Sequence, residues 1–247
     1  MKKILSRMEF EKKRSTNSSN LYKNRNLHKK ALKVKVEANN KYYWVSLTNW
    51  FDEPCLQLTQ DLFAFQEIIY KTRPDLILEV GVAWGGSTLF YLNLCKTLGL
   101  KGVVGVDIYI PKDLRKRLTK KKPKNTYLKL IEGSSIDNKI IDKVKSIIKG
   151  KKVFVILDSN HTHDHVLAEL NGYQDLIKSG GYIVVYDTSI EWDDSEYWED
   201  TREWGPGNSP RSAIGEFIKN HLDFKIDKSI SDKLQITVAP EGFLKRD

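Results

Sequence analysis

Apolar residues fall along the chain in short blocks at regular intervals. Segments 76–80, 102–107, 126–131, 153–158 and 182–187 are runs rich in Val, Ile and Leu. Helix-length stretches separate them, at about 87–98, 114–118, 139–148 and 164–178. Runs that are apolar on both faces and alternate with helices predict a parallel sheet covered on two sides. Upstream, segment 57–71 places Leu58, Leu62, Phe65 and Ile69 on one helical side, and Pro74 follows its end. Downstream, 222–230 and 233–240 succeed each other without a helix-length gap, which predicts an antiparallel hairpin at one sheet edge. The whole reads as an α/β, Rossmann-like domain with a mostly parallel seven-stranded sheet and helices on both faces.

Composition adds an N-terminal boundary. Residues 1–40 are polar, show no stable period, and hold 12 Lys/Arg against 3 Asp/Glu. The rest of the chain holds 29 of each sign, so the net charge of +9 belongs to this segment. The expected division is a basic, flexible arm over 1–40 and one domain over 41–247. Such an arm can attract the phosphates of nucleic acid or anionic lipid, or serve only as a solubilising tail. It lacks any recognisable nucleic-acid module. No run of apolar residues is long enough to span a membrane. Cys55 and Cys95 stand far apart and outside metal-ligand spacing, which leads us to expect a reduced, cytoplasmic setting, with peripheral membrane contact through the arm left open.

The candidate chemistry gathers at the carboxyl ends of the predicted strands, where open α/β sheets bind ligands. The first strand runs into Glu79-Val80-Gly81-Val82-Ala83-Trp84-Gly85-Gly86-Ser87. Glycines at a strand-to-helix turn let backbone approach a ligand, and the next helix offers unpaired N–H groups. Ala83 takes the second glycine position of Gly-x-Gly-x-x-Gly, which weakens the case for a pyrophosphate. Asp107, ending the second strand, can accept hydrogen bonds from both hydroxyls of a ribose, whether of NAD or of S-adenosylmethionine. Ser134, Ser135 and Asp137 follow the third strand at the height of an adenine; a capped helix start explains them equally well.

Leu157-Asp158-Ser159-Asn160-His161-Thr162-His163-Asp164-His165 holds three of the five histidines. Asp158 and Asp187, on neighbouring strand ends, can share one hard cation. His161 sits where an imidazole can take a hydroxyl proton. His163 and His165 are expected on the helix surface, and H-x-H-x-H suits neither one helix face nor a zinc finger. After Asp187 comes an acidic, aromatic stretch from Glu191-Trp192-Asp193-Asp194 to Glu203-Trp204. Trp84, Trp192, Trp198 and Trp204 place four of six tryptophans near this face, suited to stacking on a sugar. A surface loop packed on itself is the alternative.

Five βα units closed by a hairpin are characteristic of class I methyltransferases. From about Phe51 onward the sequence resembles the family joining rhamnosyl O-methyltransferases with the cephalosporin hydroxylase component. Supporting stretches are Pro-Asp-Leu-Ile-Leu-Glu-Val-Gly from Pro74, Gly-Gly-Ser at 85–87 and Glu-Gly-Ser-Ser-Ile-Asp at 132–137. The segments 157–170, 181–188 and 237–246 complete the match, and 157–170 is the most specific. The resemblance implies S-adenosylmethionine, with Glu79, Gly81, Ala83, Gly85, Gly86, Ser87, Asp107, Ser134, Ser135, Asp137 and Asp158 around it. It also implies Mg2+ on Asp158 and Asp187, and His161 as the base. A Glu-Asp pair commonly closes strand five in this family; Tyr186-Asp187 stands here, so Glu191 or water would have to complete a metal shell. The implied reaction is O-methylation of a sugar, glycolipid or natural-product hydroxyl, with no specific nucleic acid as partner and a homo-oligomer left open. The competing readings are an accessory cofactor-binding component and an NAD(P)-dependent oxidoreductase.

Overall fold

Strand β3 (Leu76–Val80) is buried along its whole length, because both pleat faces meet helices. Ile77 joins one apolar core and Leu76, Leu78 and Val80 join the other, on the opposite side of the sheet. β4 (Gly102–Asp107) and β6 (Val153–Leu157) flank it in parallel register, as the unbroken Val/Ile/Leu runs require. In this computed structural model, residues 4–193, 202–231 and 233–247 are described. With β5 (Tyr127–Glu132), β7 (Tyr182–Val185), β8 (Phe224–Ile226) and β9 (Phe243–Arg246), the seven-stranded sheet has the order β5-β4-β3-β6-β7-β9-β8. Strand order reverses between β3 and β6, so a crevice opens beyond their carboxyl ends.

The interleaved helices are α4 (Gly86–Leu98), α5 (Lys112–Lys121), α6 (Asn138–Ile148) and α7 (His163–Tyr173). α3 (Thr59–Thr72) precedes β3, and α8 (Pro210–Asn220) packs beside α7. A short pair, β1 (Asn49–Trp50) and β2 (Glu53–Pro54), leans on α4. Its closeness shows at Gly86, where a Cβ would lie 2.3 Å from the Pro54 carbonyl oxygen.

Two expectations are corrected. The edge hairpin exists, and β9 pairs antiparallel with both β7 and β8. Its second strand, however, is Phe243–Arg246, not 233–240, and a one-turn helix α9 (Lys228–Ser231) ends the first strand early. Segment 233–240 looks strand-like because Leu234 and Val238 must be buried. Its polar groups go to α3 instead: the Thr237 hydroxyl and the Val238 N–H donate to buried Asp61.

The second correction concerns the N-terminus. Residues read as a flexible arm form α1 (Arg7–Lys23) and α2 (Arg25–Tyr42). α1 opens with a capping box on Ser6 and Glu9 and buries nothing, so it is held by local interactions. α2 buries Ala31, Lys35 and Val36, a spacing of four to five residues that matches one helical face. That stripe is short and contains a lysine, which hides its period in a polar sequence. No helix among the described residues is long and apolar enough to cross a membrane.

Candidate active site

The crevice beyond β3 and β6 is a cavity of about 520 Å³. Its floor is made where two strand ends nearly touch: Gly81 has φ +99°, and a Cβ there would lie 1.9 Å from the Asp158 carbonyl oxygen. Only glycine permits both the conformation and the approach. Ala83 then adopts φ +46°, a left-handed backbone that costs an alanine energy and is held by its surroundings. The restraint is Asp107, whose Oδ2 accepts from the N–H of Val82 at 2.8 Å and of Ala83 at 2.9 Å. Among the described residues its Oδ1 accepts only the Tyr109 N–H, at 3.1 Å, and so retains capacity for a ligand hydroxyl.

Glu79 does not line the cavity. It is buried beneath the loop, where the Ser87 and Thr88 hydroxyls donate to its carboxyl. Burial, partly offset by those two bonds, pushes its pKa up to about 7. Its role here is to tie the start of α4 to β3. Gly85 and Gly86 serve packing in the same way: a Cβ on the first would meet Leu118 and Leu114, and on the second the β1–β2 pair.

Ser134, Ser135 and Asp137 stand apart from the cavity lining. Asp137 caps α6 through the Lys139 N–H, and the Ser134 carbonyl accepts the Asp137 N–H. Ser135 enters a buried knot in which its own hydroxyl and that of Ser159 both donate to Glu169 Oε1 at 2.5 Å. His165 Nε2 lies 3.0 Å from the Ser135 hydroxyl, so His165 faces this knot and not the surface. His163 likewise turns inward onto α8, against Ser212 at 2.8 Å and Glu216 at 3.2 Å.

The structure brings Asp158, His161 and Asp187 together. One ligand atom from each lies within 4.8 Å of the others, and all three line the cavity. His161 Nε2 is 3.2 Å from Asp187 Oδ2, and the imidazole edge packs on Trp204 with ring centroids 5.0 Å apart. Asp187 holds a left-handed φ of +52°, a strained conformation of the kind found at functional sites. Protein atoms crowd the Asp158 carboxyl and, with negative charge on Asp187, Glu79 and Glu169, push its pKa well above the usual range; a bond from Gln57 pulls the other way. Two carboxylates and an imidazole facing one point are the donor set of a hard divalent cation. Such an ion would relieve the repulsion among these acids.

Tyr186 takes no part. It is buried, 2% exposed, in the core cluster that holds Phe154 and Ile156, with its ring edge-on to Phe65 at 5.5 Å. Glu191 does not replace the missing glutamate, because it is committed to the Ser209 hydroxyl and the Gly207 N–H. Of the aromatic stretch, Trp84 and Trp204 line the cavity and Trp192 does not. Asp194 and Trp198 lie outside the described residues.

Sequence reasoning missed the contribution of α2. Lys35, Val36, Asn39 and Asn40 form one wall of the cavity, and the Lys35 ammonium donates to the Ser189 hydroxyl at 2.6 Å. Lys35 is 6% exposed. The recurrence of Ala31, Lys35 and Asn39 at steps of four was the available signal.

Solved structures share this architecture. A CmcI structure with Mg and SAM is 18% identical over 82% of this chain and 77% of that one, with a TM-score of 0.58. An O-methyltransferase from Bacillus cereus in complex with SAH is 17% identical, covers 81% of each chain and has a TM-score of 0.51. The fold is therefore that of the class I methyltransferases. Within that class the chain belongs to the rhamnosyl O-methyltransferase/CmcI family, whose model matches residues 41–247. The rhamnosyl O-methyltransferase of Mycobacterium bovis (strain BCG / Pasteur 1173P2) is 31% identical over 221 residues, 86% of this chain and 85% of that protein. That of Mycobacterium leprae (strain TN) is 30% identical over 217 residues, 85% and 90% respectively. The α1 helix and nearly all of α2 precede the matched region.

Proposed function

We propose that the protein transfers the methyl group of S-adenosylmethionine to a hydroxyl of a sugar or a sugar-bearing acceptor. The observation that carries this reading is the placement of His161, paired with Asp187 and beside Asp158, in a cavity whose other wall is the glycine loop of a class I methyltransferase fold. The relatives named as rhamnosyl O-methyltransferases support a deoxysugar hydroxyl as the acceptor.

The loop 81–87 and Asp107 would hold the donor. Asp158 and Asp187 are the residues that would hold a divalent ion; when bound, the ion would lower the pKa of an acceptor hydroxyl and orient a neighbouring oxygen. His161 accepts the hydroxyl proton as the oxygen attacks the methyl carbon and the carbon–sulfur bond breaks. Asp187 fixes the imidazole and stabilises its charged form. The thioether product leaves without needing a proton. Holding acceptor and donor in line supplies much of the rate, and the wall formed by α2, Trp84 and Trp204 does that work.

Titration calorimetry with S-adenosylhomocysteine and with NADH tests the donor. Micromolar affinity for the first, about 8 kcal/mol, is expected. Heat with NADH alone would make the protein an oxidoreductase. Donor binding without transfer of labelled methyl to any of a panel of rhamnosides and other glycosides would favour an accessory component.

A further inference from the structure

The balance of charge over 41–247 conceals a local excess. Residues 112–124 carry eight Lys/Arg and a single acid, Asp113. α5 sorts them by face. Leu114 and Leu118 are buried against the glycine loop. Arg117 and Lys121 turn to the β1–β2 pair, where both bind buried Glu53, and Arg115 pairs with Glu132. Lys112, Lys116 and Lys120 recur at steps of four, so they form one stripe pointing away from Leu114 and Leu118, and Lys124 continues it past the helix. All four are exposed, and among the described residues none pairs with an acid.

Apolar side chains border this stripe at both ends. The turn between β1 and β2 holds Phe51 and Asp52 at positive φ and leaves Phe51 60% exposed. The Lys121 ammonium donates to the Phe51 carbonyl oxygen at 2.7 Å, which fixes the turn against α5. At the other end, Ile108 and Tyr109 immediately precede the helix and are 71% and 67% exposed. This surface also adjoins the cavity, since Pro54 of the same pair and Trp84 line its mouth.

We infer that the lysine stripe of α5, together with Phe51, docks the protein onto an anionic bilayer with its cavity near the lipid surface. Unpaired lysines act as point charges towards a negative headgroup layer without selecting any one geometry. Exposed aromatic and aliphatic side chains beside them enter the headgroup region, where such side chains are favoured. Aliphatic Ile108 gains nothing from stacking on bases, and the arginines that would read phosphate bidentately are occupied by glutamates, so a bilayer fits this surface better than a nucleic acid. Docking of this kind is independent of the reaction assigned to the cavity.

Sedimentation of the 247-residue chain with vesicles provides the test. Vesicles of phosphatidylglycerol and phosphatidylcholine should bind it in a salt-sensitive manner, and pure phosphatidylcholine should not. The triple variant Lys112→Glu, Lys116→Glu, Lys120→Glu should lose about 100-fold in affinity; the same three changed to Gln should lose about 10-fold or more, in case reversal disturbs folding. Phe51→Ser should weaken binding while leaving its salt dependence intact. Deleting residues 1–23, which carry the basic α1, should leave most of the affinity. Vesicle binding that survives both triple variants, or that vanishes with α1 alone, overturns the proposal. So does absence of binding to the anionic vesicles, or retention of a single-stranded RNA in preference to them.

Discussion

His161 and Asp187 face each other across the ends of two neighbouring parallel strands, with Nε2 and Oδ2 separated by 3.2 Å. They come from loops 26 residues apart in sequence, and the pairing of β6 with β7 alone brings them together. The carboxylate fixes the orientation of the imidazole, so the pair acts as one unit. Replacing His161 with Ala should lower turnover by about 10²–10⁴-fold. Affinity for S-adenosylhomocysteine, measured by calorimetry, should change little, because the imidazole faces the acceptor side. Asp187→Asn should lower turnover comparably; full activity in either variant removes the pair from the chemistry.

Asp158 and Asp187 should bind a divalent cation. Calorimetric titration with Mg2+ or Mn2+ should show one site that Asp158→Asn abolishes. Since burial and the nearby acids push the Asp158 carboxyl well above its ordinary range, metal and proton compete for it. Metal affinity should therefore rise with pH and the titration should release protons to buffer. Activity that persists in excess EDTA removes the ion from the reaction.

Glu79 links a buried carboxyl to stability. Its pKa rises from 4.5 to about 7 on folding, so the folded protein binds more protons than the unfolded chain between those values. Stability from this group is fully present below about 4.5 and declines as pH rises towards 7, by on the order of 3 kcal/mol in total. Glu79→Gln can keep both hydroxyl partners and never ionises. Denaturant melts of the variant should show a flatter profile over that window and a higher midpoint above pH 7.

The close packing of the glycine loop is tested at Gly86. A Cβ there would meet the Pro54 carbonyl at 2.3 Å, and backbone cannot yield as a side chain does. Gly86→Ala should cost about 1–3 kcal/mol and weaken donor binding by displacing the β1–β2 pair. An unchanged melting temperature contradicts this packing.

The two N-terminal helices should separate in function. Removing residues 1–23 takes away α1, which buries nothing, and should leave turnover of a small acceptor unchanged. Removing residues 1–40 also takes Lys35, Asn39 and Asn40 from the cavity wall, and kcat/KM should fall at least about 10-fold. Equal activity of the two truncated proteins makes α2 dispensable to the site.

Sequence alone determined the features that period and local chemistry dictate. Val/Ile/Leu runs between helices have one stable arrangement, a covered parallel sheet, so the fold class, the strand ends and hence Asp107, Asp158, His161 and Asp187 were legible. The glycine loop was legible too, because a positive φ at Gly81 and Gly85 leaves few other residues. Tertiary structure decided everything that depends on which distant surfaces meet. It sent Glu79, Gly85 and Gly86 to packing, and turned Ser135, His163 and His165 into internal contacts. It buried Tyr186 in the core against Phe65, and carried α2 from an apparently featureless basic segment to the cavity wall. It also moved the second hairpin strand to Phe243–Arg246, since a buried Asp61 on α3 claims Thr237 and Val238. A side chain's residue type states what it can bond, but its partner is chosen by the fold, and no local period encodes that choice.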